Sequence, residues 1–482
     1  MQSLPCELIK DQCFVAGHWI EAPDKRTFSV TNPATGQAIG SVPRVGAAQT
    51  LDAIERARLA QQSWKMQPAK ERARLLFQWA ELVESHTEEL ARILTAEQGK
   101  PLAEARGEVG STVAYLRWFA EEARRIEGQV LPSPSEDQHY LVFREPVGVC
   151  AAITPWNFPS SMIARKVAPA LAAGCTLILK PAEQTPLSAL ALAALAEEAG
   201  LPAGVFSVIT GDPQEIGDVL CASDTVRKIS FTGSTQVGRM LIAQCAPSIK
   251  KLSLELGGNA PFIVFEDADL DAAVKSLVAV KFRNAGQMCT SANRVLVHAG
   301  IYDEFLERLI DAVKALKVGD GLDPGTQVGP LIDGRAVHKL DALIGDAVAG
   351  NARLLLGGSR HSLGGTFFEP TVLAEVDASM RMAREEIFGP VAALYRFSSE
   401  EEAIAMANAT EYGLAAYFFS RDMARVFRVL RQLEYGMVGV NSHLIANEVA
   451  PFGGVKQSGL GREGAREGIN EYLETKFACI QV

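Results

Sequence analysis

Between residues 147 and 258, short apolar runs alternate with helix-periodic segments, and this alternation narrows the fold more than any other feature of the chain. VCAAITP, CTLILK, GVFSVITG, VRKISFTG and KKLSLELGG read as strands, and the segments between them read as helices. One helix is sharply punctuated: Thr185 is expected as its N-cap, Pro186 as its first residue and Gly200 as its stop. Strands joined through helices predict a parallel sheet built from right-handed crossovers. Ligands of such sheets sit beyond the carboxyl ends of the strands. A second strand–helix block opens at APFIVF and continues through RVLVHA, IYDEFLERLIDAVKAL and GPVAALYRF.

Ahead of these blocks, residues 51–126 carry apolar side chains at spacings of three and four, with no proline between Ala69 and Lys100, and predict helix. A Pro/Ser-rich break at 131–135 precedes HYLVF, a short strand suited to an arm that pairs outside its own domain. EYLETKFACIQV predicts a terminal strand. At 482 residues the chain exceeds one ordinary core, so two or three domains are expected.

The net charge of −10 and the lack of a Lys/Arg run argue against a nucleic-acid partner. No run approaches the ~18 apolar residues that span a bilayer. The N-terminal stretch has no apolar core of signal-peptide length, and Glu7, Lys10 and Asp11 interrupt it, so a cytoplasmic protein is expected. The eight cysteines are scattered without a CxxC pair and the histidines lack an HExxH spacing, which speaks against a disulfide scaffold and a metal site. Cys150 and Cys175 lie in apolar strands and read as structural.

Several residues could carry chemistry. Cys289, in NAGQMCTS, follows a glycine that permits a tight turn, where backbone N–H groups would favour a thiolate; a single cysteine is otherwise core packing. Glu255, in SLELGG, ends a strand and could serve as a general base or simply cap a turn. Asn157, in PWNFP, could donate to an oxyanion or belong to a rigid turn. Gly233 and Ser234 join a strand to a helix in a turn that suits a phosphate. Lys180 and Glu183, in KPAE, could reach the hydroxyls of a ribose or be surface charges in a loop.

PWNFP, KPAE, FTGSTQVG, ELGG, GQMC, EEIFGP and PFGGVKQSG occur in the order and at the spacings of the aldehyde dehydrogenase superfamily, which the chain resembles over essentially its whole length. The resemblance implies an α/β fold: a Rossmann-type cofactor domain (1–123 and 145–255), an α/β catalytic domain (256–445) and a small β oligomerisation arm (124–144 and 446–482). It implies Cys289 as nucleophile, Glu255 as general base and Asn157 as oxyanion donor. It implies Trp156, Lys180, Glu183, Gly233, Ser234, Glu386 and Phe388 around a nicotinamide dinucleotide, and a homodimer or homotetramer. Lys166 matches a family position near the oxyanion loop. A carboxylate at Glu183 favours NAD over NADP. A base at Glu255 favours hydrolysis to the free acid over transfer to coenzyme A, and the presence of both Cys289 and Glu255 speaks against a non-catalytic member of the fold.

Within the superfamily, NFPSSMIARKVAPALAAGC, KFRNAGQ, NEVAPFGG and SGLGREG are most similar to succinate- and glutarate-semialdehyde dehydrogenases. In that group two arginines, here Arg165 and Arg283, bind the distal carboxylate of the substrate. Two departures bear on the substrate: Ala446 stands where the group has a serine, and Ser442 and His443 replace a small or acidic pair; separately, Ser291 replaces a second cysteine two residues after the nucleophile. The last predicts that no disulfide switch forms at the nucleophile. Another aliphatic, aromatic or amino aldehyde is the competing expectation.

Overall fold

A computed structural model describes residues 8–482; Cys6 and Glu7 lie outside the described residues. The strand–helix alternation forms the expected parallel sheet, whose spatial order is Phe206–Val208, Thr176–Lys180, Val149–Ile153, Val226–Thr232, Lys251–Glu255. The chain reverses direction across the sheet between Val149–Ile153 and Val226–Thr232. At such a switch point the loops diverge and leave a crevice at the carboxyl edge. Cys13–Val15 extends one edge antiparallel, and Gly459–Leu460 extends the other. A second, largely parallel sheet runs Thr371–Ala374, Val391–Phe397, Ala292–His298, Ala260–Val264, Ala415–Phe419, Met437–Val440, with Arg353–Leu356 antiparallel at its edge.

The helical stretch divides into Ala47–Trp64, Ala69–Ser85, Thr87–Gln98 and Leu102–Glu122. Proline marks two of the breaks. The third falls at His86, whose Nδ1 meets the Leu82 carbonyl at 2.8 Å and competes with helix continuation. Helix Pro186–Glu198 begins where predicted, but the Thr185 side chain makes no capping bond. The buried Glu97 carboxyl does so instead, accepting from the amides of Leu187 (2.8 Å) and Ser188 (2.9 Å). A long-range acid thus takes the place of the local cap, which sequence could not show.

The third sheet is the arm, with Leu473–Gln481 pairing antiparallel to Gln138–Pro146 from Leu473↔Pro146 to Gln481↔Gln138, and Gln129–Leu131 alongside. Tyr140 and Phe477 meet edge-on at 5.0 Å across the pair. Within residues 446–482, assigned to the arm by the resemblance, Leu473–Gln481 is the strand that pairs there. Gly459–Leu460 pairs with Leu254 and Glu255 of the first sheet, and helix Ala465–Asn470 packs on Leu102–Glu122 and Ser161–Ala173. The apolar faces of Ile469 and Tyr472 are buried there. Among the described residues no helix is long and apolar enough to cross a membrane, and no cluster of His, Cys, Asp and Glu is arranged to hold a metal ion.

Candidate active site

Cys289 stands in the wall between two cavities, of about 330 and about 270 Å³. Its position depends on a strained turn. After helix Leu270–Phe282, Asn284, Ala285 and Gly286 all take left-handed conformations, φ 51°, 52° and 72°. Two consecutive non-glycine residues there cost on the order of 1–3 kcal/mol each, and buried hydrogen bonds hold them. Asn284 N–H donates to Glu104 (2.9 Å), its Nδ2 donates to the Asn157 carbonyl (3.1 Å), and Gln287 Oε1 accepts from Ile332 N–H (2.9 Å). Gly286 must be glycine, because a Cβ would lie 2.1 Å from the Gly389 carbonyl oxygen. Gly258 likewise lets the ELGG turn pass the Cys289 carbonyl, which a Cβ would meet at 2.4 Å. Desolvation pushes the Cys289 thiol up to about 12; Glu386 and Glu255 add to this, and Arg165 opposes it.

The smaller cavity is the crevice at the switch point of the first sheet. Trp156, Asn157, Gly233, Ser234, Glu386 and Phe388 all line it with Cys289. Trp156 and Phe388 meet edge-on at 5.6 Å. Ser234 caps helix Thr235–Cys245 by accepting from Val237 N–H at 3.3 Å. Glu386 accepts from Gly258 N–H at 3.2 Å, and desolvation lifts it to about 7 against the pull of Gly258, Lys339 and Lys281. The buried Asn157 Oδ1 and Thr232 Oγ1 on this wall have no hydrogen-bond partner. A crevice with a glycine turn at a helix N-terminus and orphaned polar atoms fits a dinucleotide. Lys180 and Glu183 are not on this wall. They form an ion pair with each other one strand further along the same carboxyl edge, Lys180 buried and Glu183 half-buried. Burial pulls Lys180 down to about 7, opposed by Asp212.

The larger cavity holds Arg165, Arg283 and His443, with Ala446 and Tyr417 also on its wall. Arg165 is buried between the rings of Tyr115 (4.9 Å) and Phe452 (4.4 Å). Its Nε and Nη1 have no hydrogen-bond partner, and the Glu463 carboxylate stays 3.9 Å away. A buried guanidinium with unpartnered N–H groups on a cavity wall has the chemistry to take an anion. Arg283 is exposed at the rim, over the Phe158 ring at 5.6 Å.

Glu255 lies outside both linings, buried, with Oε2 unpartnered. Burial and then Glu463 push it well above the usual carboxylate range, while Lys166, Arg165 and Arg462 pull the other way. Glu463 itself accepts from the fully buried Lys166. Asn157 Nδ2 donates to the Gln287 carbonyl at 3.0 Å, so the two loops that carry Asn157 and Cys289 are tied together.

A support that the sequence does not mark lies beneath this site. Lys100 and Glu108 form a fully buried pair at 2.6 Å. Glu108 also accepts from the amides of Ser160 (2.9 Å) and Ser161 (3.2 Å), at the start of the helix that carries Arg165. In GKPLAEARGE no local signal marks these residues as buried. Glu463 lies within SGLGREG, a stretch singled out without a role for its glutamate.

Residues 19–478 match the model of the aldehyde dehydrogenase family, and the chain belongs to that family. It is 59% identical to the 3-sulfolactaldehyde dehydrogenase of Pseudomonas putida over 98% of this chain and 97% of that protein. It is 56% identical to a glutarate-semialdehyde dehydrogenase of Pseudomonas aeruginosa, covering 100% of this chain and 99% of that one. The crystal structure of an E. coli NADP dependent enzyme superposes with a TM-score of 0.99 at 54% identity, covering all of both chains.

Proposed function

We propose that this enzyme oxidises a short aldehyde with an anion at its far end, succinate and glutarate semialdehyde among them, to the corresponding acid. The observation that carries the reading is Cys289 between two cavities, one floored by a buried arginine with open donors, the other shaped for a dinucleotide. The substrates named for the two relatives, 3-sulfolactaldehyde and glutarate semialdehyde, share that plan of an aldehyde at one end and an anion at the other.

In this reading the Cys289 thiol gives up its proton to water as Sγ attacks the aldehyde carbon. The N–H of Cys289 and Nδ2 of Asn157 donate to the oxygen that becomes negative. Trp156, Gly233, Ser234, Glu386 and Phe388 would hold a nicotinamide dinucleotide, with Lys180 and Glu183 at its ribose, and the group would accept the hydride that leaves the carbon bonded to Sγ. Cys289 is then acylated as a thioester. Glu255 removes a proton from water, the hydroxide adds to the thioester carbon, and the thiol leaves. A base with a raised affinity for protons is matched to this task near neutral pH. Arg165 and Arg283 hold the distal anion and orient the aldehyde toward Cys289.

Glu183 favours NAD by repelling a 2′-phosphate. Its contact with Lys180 offsets part of that charge, so NADP is used less well rather than excluded. Residues 1–123 and 145–255 form the cofactor unit and 256–445 the catalytic unit. The arm, with Val130, Phe143, Phe477 and Ile480 exposed, joins copies of the chain into a dimer or tetramer.

The test follows NADH absorbance with succinate semialdehyde, glutarate semialdehyde and an uncharged aldehyde of similar length. Arg165→Ala and Arg283→Ala are expected to lose activity selectively toward the acids. Equal loss toward all three, or wild-type preference for the uncharged aldehyde, sinks the substrate assignment.

A further inference from the structure

The wall of the larger cavity carries donors from three separate segments. Arg165 comes from helix Ser161–Ala173, and Arg283 follows helix Leu270–Phe282. His443 comes from the loop after strand Met437–Val440. Ala446, on the same wall, supplies no donor. His443 is anchored from behind, its Nδ1 lying 3.4 Å from Ser276 Oγ on helix Leu270–Phe282. When the Ser276 hydroxyl donates to Nδ1, the ring proton sits on Nε2, the nitrogen left to serve the cavity. Burial, then Arg283 and Lys275, hold the imidazole below its usual range, so it acts as a neutral N–H donor.

The number and placement of donors bear on the shape of the anion. A carboxylate has two oxygens in one plane, and a single guanidinium satisfies both. Here a second guanidinium and an imidazole line the same cavity from other segments, a number of donors that suits an anion with a third oxygen out of that plane. A sulfonate carries three equivalent oxygens on a tetrahedral sulfur and a single negative charge. It is bulkier than a carboxylate, and Ala446, with nothing beyond its Cβ, leaves room on the wall.

We propose that His443 is the specificity-determining third donor of an anion subsite formed with Arg165 and Arg283, and that this subsite prefers a sulfonate to a carboxylate at the far end of the aldehyde. The inference rests on the distal-anion reading above and deepens it.

The experiment compares kcat/KM of the full-length enzyme with NAD⁺ for 3-sulfopropanal, succinate semialdehyde (its carboxylate counterpart of equal chain length) and butanal. The wild type is expected to favour the sulfonate over the carboxylate roughly tenfold, the worth of one hydrogen bond to a charged group. His443→Ala is expected to bring that ratio near one by raising KM for the sulfonate while kcat holds. His443→Gln, which keeps an N–H donor, is expected to retain much of the preference. Each ratio is taken within one preparation, so a change in the folded fraction cancels. A wild-type ratio of one or less, or an unchanged ratio in His443→Ala, overturns the inference and leaves the distal-anion reading standing. Butanal turned over as well as either anion overturns the distal-anion reading itself.

Discussion

Lys100 Nζ donates to the backbone carbonyl of Asn157 at 2.8 Å while paired with Glu108, so one buried ammonium fixes the loop proposed to stabilise the oxyanion. The same carbonyl accepts from Asn284 Nδ2, at the start of the Cys289 turn. Helix Leu102–Glu122 is thereby connected to the loops that carry Asn157 and Cys289 without any of its residues being part of the proposed chemistry.

Lys100→Met should be severely destabilising. It leaves Glu108 buried without its counter-ion, which costs about 3–5 kcal/mol. Thermal unfolding should show a lowered Tm, and the surviving folded enzyme should show reduced kcat because Asn157 loses a fixed partner. Wild-type Tm together with wild-type kcat would refute the positioning role.

Glu255 should make kcat rise with pH. Its affinity for protons is raised, so the carboxylate form that activates water is populated only well above the ordinary carboxylate range. Activity is lost as pH falls through that raised value. Glu255→Gln should slow thioester hydrolysis by about 10²–10⁴-fold, flatten the profile and leave a burst of one NADH per Cys289. Rapid-mixing absorbance and the mass of the acylated protein read this directly; steady turnover without a burst counts against the assignment.

Glu183→Ser should shift cofactor use. Removing the carboxylate leaves Lys180 unpaired beside the expected ribose site, and a 2′-phosphate then meets a cation in place of an anion. The ratio of kcat/KM for NADP⁺ to that for NAD⁺ should rise by roughly tenfold or more, the effect of about 1.4 kcal/mol. No change in the ratio would place the adenosine ribose elsewhere.

Gly286→Ala should abolish activity at modest expression. Its φ of 72° and the Gly389 oxygen 2.1 Å from the new Cβ force the turn to move, and Cys289 moves with it. Alkylation of Cys289 by iodoacetamide, followed by peptide mass, should change rate relative to the exposed Cys479. An unchanged relative rate with full activity would show that the turn tolerates a side chain.

The alternation of strands and helices, the arm strand and the turn glycines were legible in the chain because they rest on local periodicity and backbone sterics, which a few neighbouring residues decide. The order of motifs from PWNFP to PFGGVKQSG likewise pointed to the family before any contact was known. Tertiary structure alone decided that residues 446–472 return to the first sheet through Gly459–Leu460, that Glu97 and not Thr185 caps helix Pro186–Glu198, and that Lys100, Glu108 and Glu463 are buried. It also decided that Arg165 sits between Tyr115 and Phe452 with open donors while His443 faces the same cavity. The reason is physical: a charged residue on an amphipathic helix looks the same in sequence whether water or a distant carboxylate satisfies it. Only the tertiary packing of separate segments determines which partner it finds and which N–H groups remain free for a substrate.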